Sequence, residues 1–274
     1  MTKDVKKYYE KNSSKFKNFG IDPIGGNIHQ PLWGESVNNK REATNYSNQL
    51  IHDYIKQYTS TRDTKFSVLD LGCGFGATLK FLSDTLNSNS LIDYTGITIS
   101  SYQAQEAQKN LNYGASIICD DFQKISEHNK KYNIVYAIES IVHSPDIAEL
   151  LKGIKKILKE DGVFIIIDDF ISSTHNSDAN YLIEDYKHNW FTNGITESSQ
   201  FIRIANSVGF KLIRSVSLSS LIRQSFKGIM GRFIYSLGIR KSSNMYLKSI
   251  IGGAARQNAL IQGLLDYKMI ILSC

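Results

Sequence analysis

FSVLDLGCGFGA, residues 66–77, sets the fold. Phe66, Val68, Leu69 and Leu71 form a short apolar run of the kind that makes a buried strand, and Asp70 stands two residues before Gly72, Gly74 and Gly76. Helical spacing resumes over 77–86. Glycines at a strand-to-helix turn reach φ > 0 and let a ligand approach the backbone closely. Outward from this turn, 94–99, 116–119, 132–137 and 163–168 read as strands and 101–111 as a helix. Residues 147–158 place Leu150, Leu151, Ile154, Ile157 and Leu158 on one helical face. Such alternation demands parallel strands, right-handed crossovers and helices on both faces. Further on, 198–208 reads as a helix, and 210–218 and 267–273 as strands. The fold class is therefore α/β, a doubly wound, seven-stranded, mostly parallel sheet.

Two regions lie outside that pattern. Residues 1–35 read as irregular and rich in aromatics, while 36–59 place Ala43, Tyr46, Leu50 and Tyr54 at helical spacing. Helical pieces over 221–237 and 245–265 interrupt the final strand pair. The chain divides into an N-terminal lid or helical extension, 1–60, and a ligand-binding domain, 61–274, with a cap inserted at about 220–264. Both additions can close over the carboxyl edge of the sheet, where ligands of such folds bind.

With 274 residues, 42% hydrophobic and 21% charged, the chain is neither disordered nor fibrous. No basic segment at the start leads into an apolar run, and the longest strongly apolar stretch, 163–167, is too short to span a bilayer. The expected location is cytoplasmic, with peripheral attachment to a membrane left open. Cys73, Cys119 and Cys274 are odd in number and widely spaced, so neither a disulfide framework nor a zinc site is indicated. Of the +6 net charge, residues 200–274 hold 11 Lys/Arg and the single acid Asp266, against 21 Lys/Arg and 25 Asp/Glu elsewhere. This basic quarter suits an anionic partner or a solvated surface.

Two ligands compete for the glycine turn. The string also satisfies G-x-G-x-x-A, the phosphate fingerprint of dinucleotide enzymes, but the second strand ends Gly96, Ile97, Thr98, Ile99, Ser100, without the acid that binds a ribose. A carboxylate at Asp70 would also repel a pyrophosphate by about 1 kcal/mol. It suits a cationic ligand instead. Here VLDLGCGFGAT resembles motif I of the class I S-adenosylmethionine-dependent methyltransferases. The resemblance implies a Rossmann-like fold, S-adenosyl-L-methionine as methyl donor, and donor contacts from Asp70, Gly72, Cys73, Gly74 and Gly76.

Later strings extend the resemblance from about residue 66 to 170. GITISSYQ (96–103) is similar to a subgroup in which Thr98 and Gln103 would meet the ribose. That subgroup holds sterol, tocopherol and prenyl diphosphate C-methyltransferases, cyclopropane fatty acid synthases and natural-product sugar O-methyltransferases. IICDDFQKI resembles the adenine-binding segment, with Asp121 and Phe122 aligned and Asp120 as the near alternative. In YAIESIVHSPD, Glu139, Ser140, His143, Pro145 and Asp146 match the subgroup's E-S-x-x-H-x-P-D. His143 is the candidate base, since imidazole takes protons near neutral pH, and Glu139 falls to both donor and catalysis. Asp169, followed by Phe170, aligns with an acid that assists the histidine. Asp168 and Asp169 could also bind a metal, the weaker reading for want of a third carboxylate, so no metal site is assigned. GGNIHQPLWG (25–34) resembles an N-[IL]-H-x-x-x-W string that would bring His29 and Trp33 to the active site.

Tyr8, Tyr9, Phe16, Phe19 and Trp33 supply an aromatic set able to stabilise a cation, and Arg203, Arg214, Arg223, Arg232, Arg240 and Arg256 are available to phosphate. The expected partner is a small lipophilic or isoprenoid-like acceptor of secondary metabolism, phosphate-bearing or membrane-dissolved. The rivals are a nucleic-acid methyltransferase, a non-catalytic S-adenosylmethionine-binding protein and a nicotinamide-linked oxidoreductase. No nucleic acid is expected, for want of a basic stripe interleaved with aromatics. A homo-oligomer is left open.

Overall fold

The computed structural model describes residues 3–19, 27–60, 65–86, 92–111, 115–173, 180–223 and 226–274. Two helices come first, α1 (Lys3–Phe19) and α2 (Lys40–Thr59). Next follow β1 (Phe66–Leu71), α3 (Ala77–Leu86), β2 (Ile92–Thr98), α4 (Ser101–Asn110), β3 (Ala115–Cys119), β4 (Tyr132–Ile138), α5 (Ile147–Ile157) and β5 (Leu158–Ile171). The rest is α6 (Asn180–Trp190), α7 (Ser198–Ser207), β6 (Lys211–Ser217), α8 (Phe226–Ser236), α9 (Met245–Ile261) and β7 (Leu265–Ser273).

The seven strands form one sheet in the order β3-β2-β1-β4-β5-β7-β6. β1 to β5 run parallel, and β7 enters antiparallel between β5 and β6. Strand order reverses at β1, where Asp70 is level with Gly96 on one side and Tyr136 on the other. That is the switch point where ligands of doubly wound sheets bind.

Alternation along β4 distributes the core. Val135 and Ala137 face a layer with Leu150, Leu151 and Ile154 of α5 and Phe201 of α7. Ile134, Tyr136 and Ile138 face the opposite layer, with Ile51 and Ile55 of α2 and Leu79 and Leu82 of α3. Each buried aliphatic side chain contributes about 1.5–3 kcal/mol. A third cluster joins Leu182, Ile183 and Tyr186 of α6 to Ile251, Ala254 and Ala255 of α9. Among the described residues no helix is long and apolar enough to cross a membrane.

Several elements depart from expectation. Residues 1–35 are not irregular throughout, because Lys3–Phe19 is helical. Its inward positions are Val5, Tyr8, Asn12 and Ser13, so half the buried stripe is polar and the helical period is masked. Asn12 Nδ2 donates to the Met245 carbonyl at 3.0 Å, while its Oδ1 is buried with no partner among the described residues. α6 is a further helix, and β5 starts at Leu158, where α5 stops, rather than at 163. Within the cap, a short 3-10 turn at Ser219–Leu221 precedes α8 and α9.

Candidate active site

The glycine turn is built by backbone geometry. Gly72, Gly74 and Gly76 have φ of 101°, 53° and 76°. A Cβ at Gly72 would strike Ser140 Cβ at 2.5 Å, whereas one at Gly74 would meet nothing within 4 Å. The amides of Gly72 and Cys73 both donate to the Ile97 carbonyl at 2.9 Å, tying the turn to β2. Asp70 lies behind the turn, buried, and accepts from the Tyr136 hydroxyl at 2.9 Å. Burial pushes its carboxyl up to about 7, against the Tyr136 bond, which lowers it.

In front of the turn a cavity of about 280 Å³ runs under α1 to α6 and α9. Gly72, Cys73, Gly74, Thr98, Gln103 and Phe122 line one part of it. Thr98 Oγ1 donates to Gln103 Oε1 at 2.9 Å, leaving Gln103 Nε2 buried without a hydrogen-bond partner among the described residues. Elsewhere on the wall are the rings of Tyr8, Tyr9, Phe16, Tyr186 and Trp190.

His143 stands on the loop after β4, its ring beneath α1. Its Nε2 is 2.8 Å from the Tyr9 hydroxyl and its Nδ1 3.3 Å from the Phe191 carbonyl. These bonds suit the tautomer with hydrogen on Nδ1, in which Nε2 accepts from Tyr9. Burial holds its pKa down at about 4, so the imidazole is neutral. Burial also lowers His29, whose Nε2 is 3.1 Å from Thr78 Oγ1.

Glu139, the residue after β4, has φ of 51°, a left-handed backbone that is uncommon outside glycine. This conformation accompanies a dense set of bonds. Glu139 Oε1 accepts from the Gln30 amide at 2.8 Å and the Tyr267 hydroxyl at 2.7 Å. Gln30 Oε1 in turn accepts from Arg256 Nη1 at 2.6 Å. Arg256 is buried and forks onto Asp169, with Nε donating to Oδ2 and Nη2 to Oδ1 at 3.0 Å, while Tyr186 donates to Asp169 Oδ2 at 2.8 Å. One network thus joins the residue after β4 to residues from β5, β7, α6, α9 and the 27–33 segment.

The cavity wall brings together Gly72, Cys73, Gly74, Thr98, Gln103, Phe122, Glu139, His143, Asp169 and His29. Asp70 and Gly76 sit behind it; a Cβ on Gly76 would reach Ala107 Cβ at 3.1 Å. Asp169 makes no hydrogen bond to His143: Arg256 and Tyr186 take its oxygens, and Tyr9 and Phe191 take both ring nitrogens. Asp168 accepts from the Asp169 and Val142 amides, and burial raises it well above the ordinary carboxylate range. Asp121 turns back to cap its own helical turn, accepting from the Gln123 amide at 2.9 Å, and does not line the cavity. Trp33 is drawn away, since its amide donates to the Leu221 carbonyl at 2.7 Å and Arg223 stacks over its ring at 4.8 Å. Gly25 of the same string and the Phe19 side chain lie outside the described residues. Arg256, expected to be available to phosphate, is committed to Asp169. In the sequence Tyr9 reads only as one of an aromatic set, and its bond to His143, like the role of Gln30, has no local signal, because each acquires its partner across more than 100 residues of chain.

S-adenosylmethionine, the donor implied by the resemblance, fits two features of this cavity. The leftover Gln103 amide is a donor for a ribose hydroxyl, and the bare Gly74 backbone leaves the space a Cβ would fill.

The chain belongs to a family described as a methyltransferase domain, which matches residues 41–216. It is 22% identical over 208 residues to 24-methylenesterol C-methyltransferase 2 of Oryza sativa, covering 70% of this chain and 55% of the relative. Identity is 27% over 225 residues with cycloartenol-C-24-methyltransferase 1 of the same plant, covering 76% and 59%. The chain therefore spans little more than half the length of these curated relatives. In fold it resembles a cyclopropane synthase from Mycobacterium tuberculosis, at TM-score 0.75 and 16% identity over 99% of this chain and 98% of the other. A geranyl diphosphate C-methyltransferase from Streptomyces coelicolor gives TM-score 0.64 at 12% identity, covering 98% and 96%.

Proposed function

We propose that this chain transfers a methyl group from S-adenosyl-L-methionine to carbon or oxygen of a small, lipophilic, isoprenoid-like acceptor. A single observation carries the reading: one cavity unites the glycine turn and its unpartnered Gln103 amide with a ring-lined space holding a neutral imidazole. The sterol C-methyltransferases similar to this chain and the prenyl diphosphate C-methyltransferase of like fold support the acceptor class.

The bound donor supplies an electrophilic methyl carbon on a sulfonium. Gly72, Cys73, Gly74, Thr98, Gln103 and Phe122 hold it, with the Asp70 charge behind the turn favouring its cationic end. The rings of Tyr9, Phe16, Tyr186 and Trp190 orient the acceptor and exclude water; each can stabilise positive charge by about 0.5–2 kcal/mol. Alignment of the two reacting atoms is the main task. Carbon and oxygen acceptors alike must surrender a proton, and His143 Nε2 receives it once the Tyr9 hydroxyl yields that lone pair. Glu139 and Asp169 are positioning residues, braced by Tyr267, Gln30 and Arg256. Segment 1–60 serves as the lid over a cytoplasmic enzyme of secondary metabolism, and the insertion at 220–264 as its cap.

The test incubates the chain with methyl-labelled donor and a panel of prenyl diphosphates, sterols and unsaturated lipids, read by mass spectrometry. A product heavier by one CH₂ and dependent on His143 is expected. Labelled product from bulk RNA, with none from any lipid, would overturn the reading.

A further inference from the structure

Away from the catalytic cavity, α8 carries two faces of different chemistry. Its inner side rests on α9 through glycines: a Cβ at Gly228 would overlap Gln257, and one at Gly231 would meet Ala254 Cβ at 3.8 Å. Tyr235 completes that side, buried, with its hydroxyl donating to Asp185. At about 100° per residue, Ile229, Met230, Phe233 and, just past the helix end, Leu237 share roughly 100° of arc on the opposite side. All four are open to solvent, Phe233 at 60% and Leu237 at 63%, and Ile239 continues the patch. A contiguous apolar surface of this kind marks an interaction site.

The chain around it is strongly basic, and the acid at its rim, Asp185, comes from α6. Residues 198–265 hold ten Lys/Arg and no Asp or Glu. Arg232 and Arg240 line a groove with Tyr181, Ile229 and Phe233. Arg240 lies over the Tyr181 ring at 4.4 Å and is held there by Asp185 of α6 at 2.6 Å, and exposed Lys241 follows it. Apolar residues at the centre with guanidinium groups at the rim form the pattern of a helix lying in a lipid headgroup layer. A second copy would bring two like-charged rims together, and a nucleic acid would leave the apolar stripe uncovered.

We propose that this face docks the protein on an anionic phospholipid membrane, with Ile229, Met230, Phe233 and Leu237 entering the interface and Arg232, Arg240 and Lys241 meeting lipid phosphates. The proposal rests on the lipophilic acceptor proposed above and supplies its route. α9 carries α8 on its outer side and contributes Ser249 and Arg256 to the cavity wall, so docked lipid lies one helix layer from the acceptor space.

The full chain is floated with phosphatidylcholine vesicles and with vesicles containing phosphatidylglycerol. Binding to the anionic vesicles alone, reversed by salt, is expected. A Phe233→Gln/Leu237→Gln double variant should weaken it on the order of tenfold or more, and Lys241→Glu should weaken it less. Both variants change exposed positions and should keep the parent Tm and the parent turnover of a detergent-dispersed short-chain acceptor. Equal binding to both vesicle types, no binding, or binding untouched by the double variant would overturn the proposal. So would a concentration-dependent dimer that the double variant abolishes. A parent chain that transfers methyl groups but binds no vesicles removes only the docking face, whereas a parent chain that binds vesicles but transfers methyl to no acceptor removes the enzymatic reading.

Discussion

His143 and Asp70 are both buried, and burial moves them in opposite directions. For His143 the folded value, about 4, lies below the ordinary 6.5. Between those values the unfolded chain binds more protons, so the stability from this group is lost as pH falls through that window. For Asp70 the folded value, about 7, lies above the ordinary 3.8, and the stability from this group is lost as pH rises through that window. Asp70→Asn should therefore flatten the decline of Tm between about pH 4 and 7, read by thermal unfolding across a pH series. It should also weaken the donor about tenfold at pH 8, equivalent to about 1.4 kcal/mol. His143→Ala should lower turnover by about 10²–10⁴ while leaving donor affinity unchanged, read by steady-state rates and calorimetry. Wild-type turnover should stay level from pH 8 down to about 5 as far as this imidazole decides it. The identity of His143 as candidate base was legible because it sits in a local string. Its partners were not, because Tyr9 arrives from a helix 134 residues earlier.

Helix α1 illustrates why an element can escape a reading based on periodicity. Asn12 and Ser13 are buried where apolar residues would be expected, and they are tolerated through bonds to Met245 and the Tyr9 carbonyl. The strands were easier: β4 throughout, and β5 from residue 162 to 170, are buried on both faces, so their apolar runs are continuous and flanked by polar residues. Between elements, the Arg256–Asp169 fork ties α9 to β5 with both side chains buried. Arg256→Met leaves Asp169 buried without its cation and should destabilise the chain by about 3–5 kcal/mol, read by chemical denaturation. The paired change Arg256→Met/Asp169→Leu should recover much of that loss, since two apolar groups need no charge partner.

At the scale of the whole molecule, strand-helix alternation was enough to define the sheet, and its switch point then located the proposed donor end of the site. Gly72, Gly74, Thr98 and Gln103 are local to two consecutive strand-helix units, so this end could be read from short strings. The acceptor end is assembled from α1, α6 and α9, which meet only after the sheet has formed, and no string records that meeting. Trp33 and Asp121 lie off the cavity wall because tertiary and turn bonds at Leu221 and Gln123 hold them there. The central claim is that the glycine turn and Gln103 hold the methyl donor. Calorimetric titration with S-adenosylhomocysteine tests it most directly, comparing the parent chain with Gln103→Leu. The account predicts saturable binding at one site per chain, weakened by about 1–3 kcal/mol in the variant; absence of heat with the parent chain, or equal affinity in both, would contradict it.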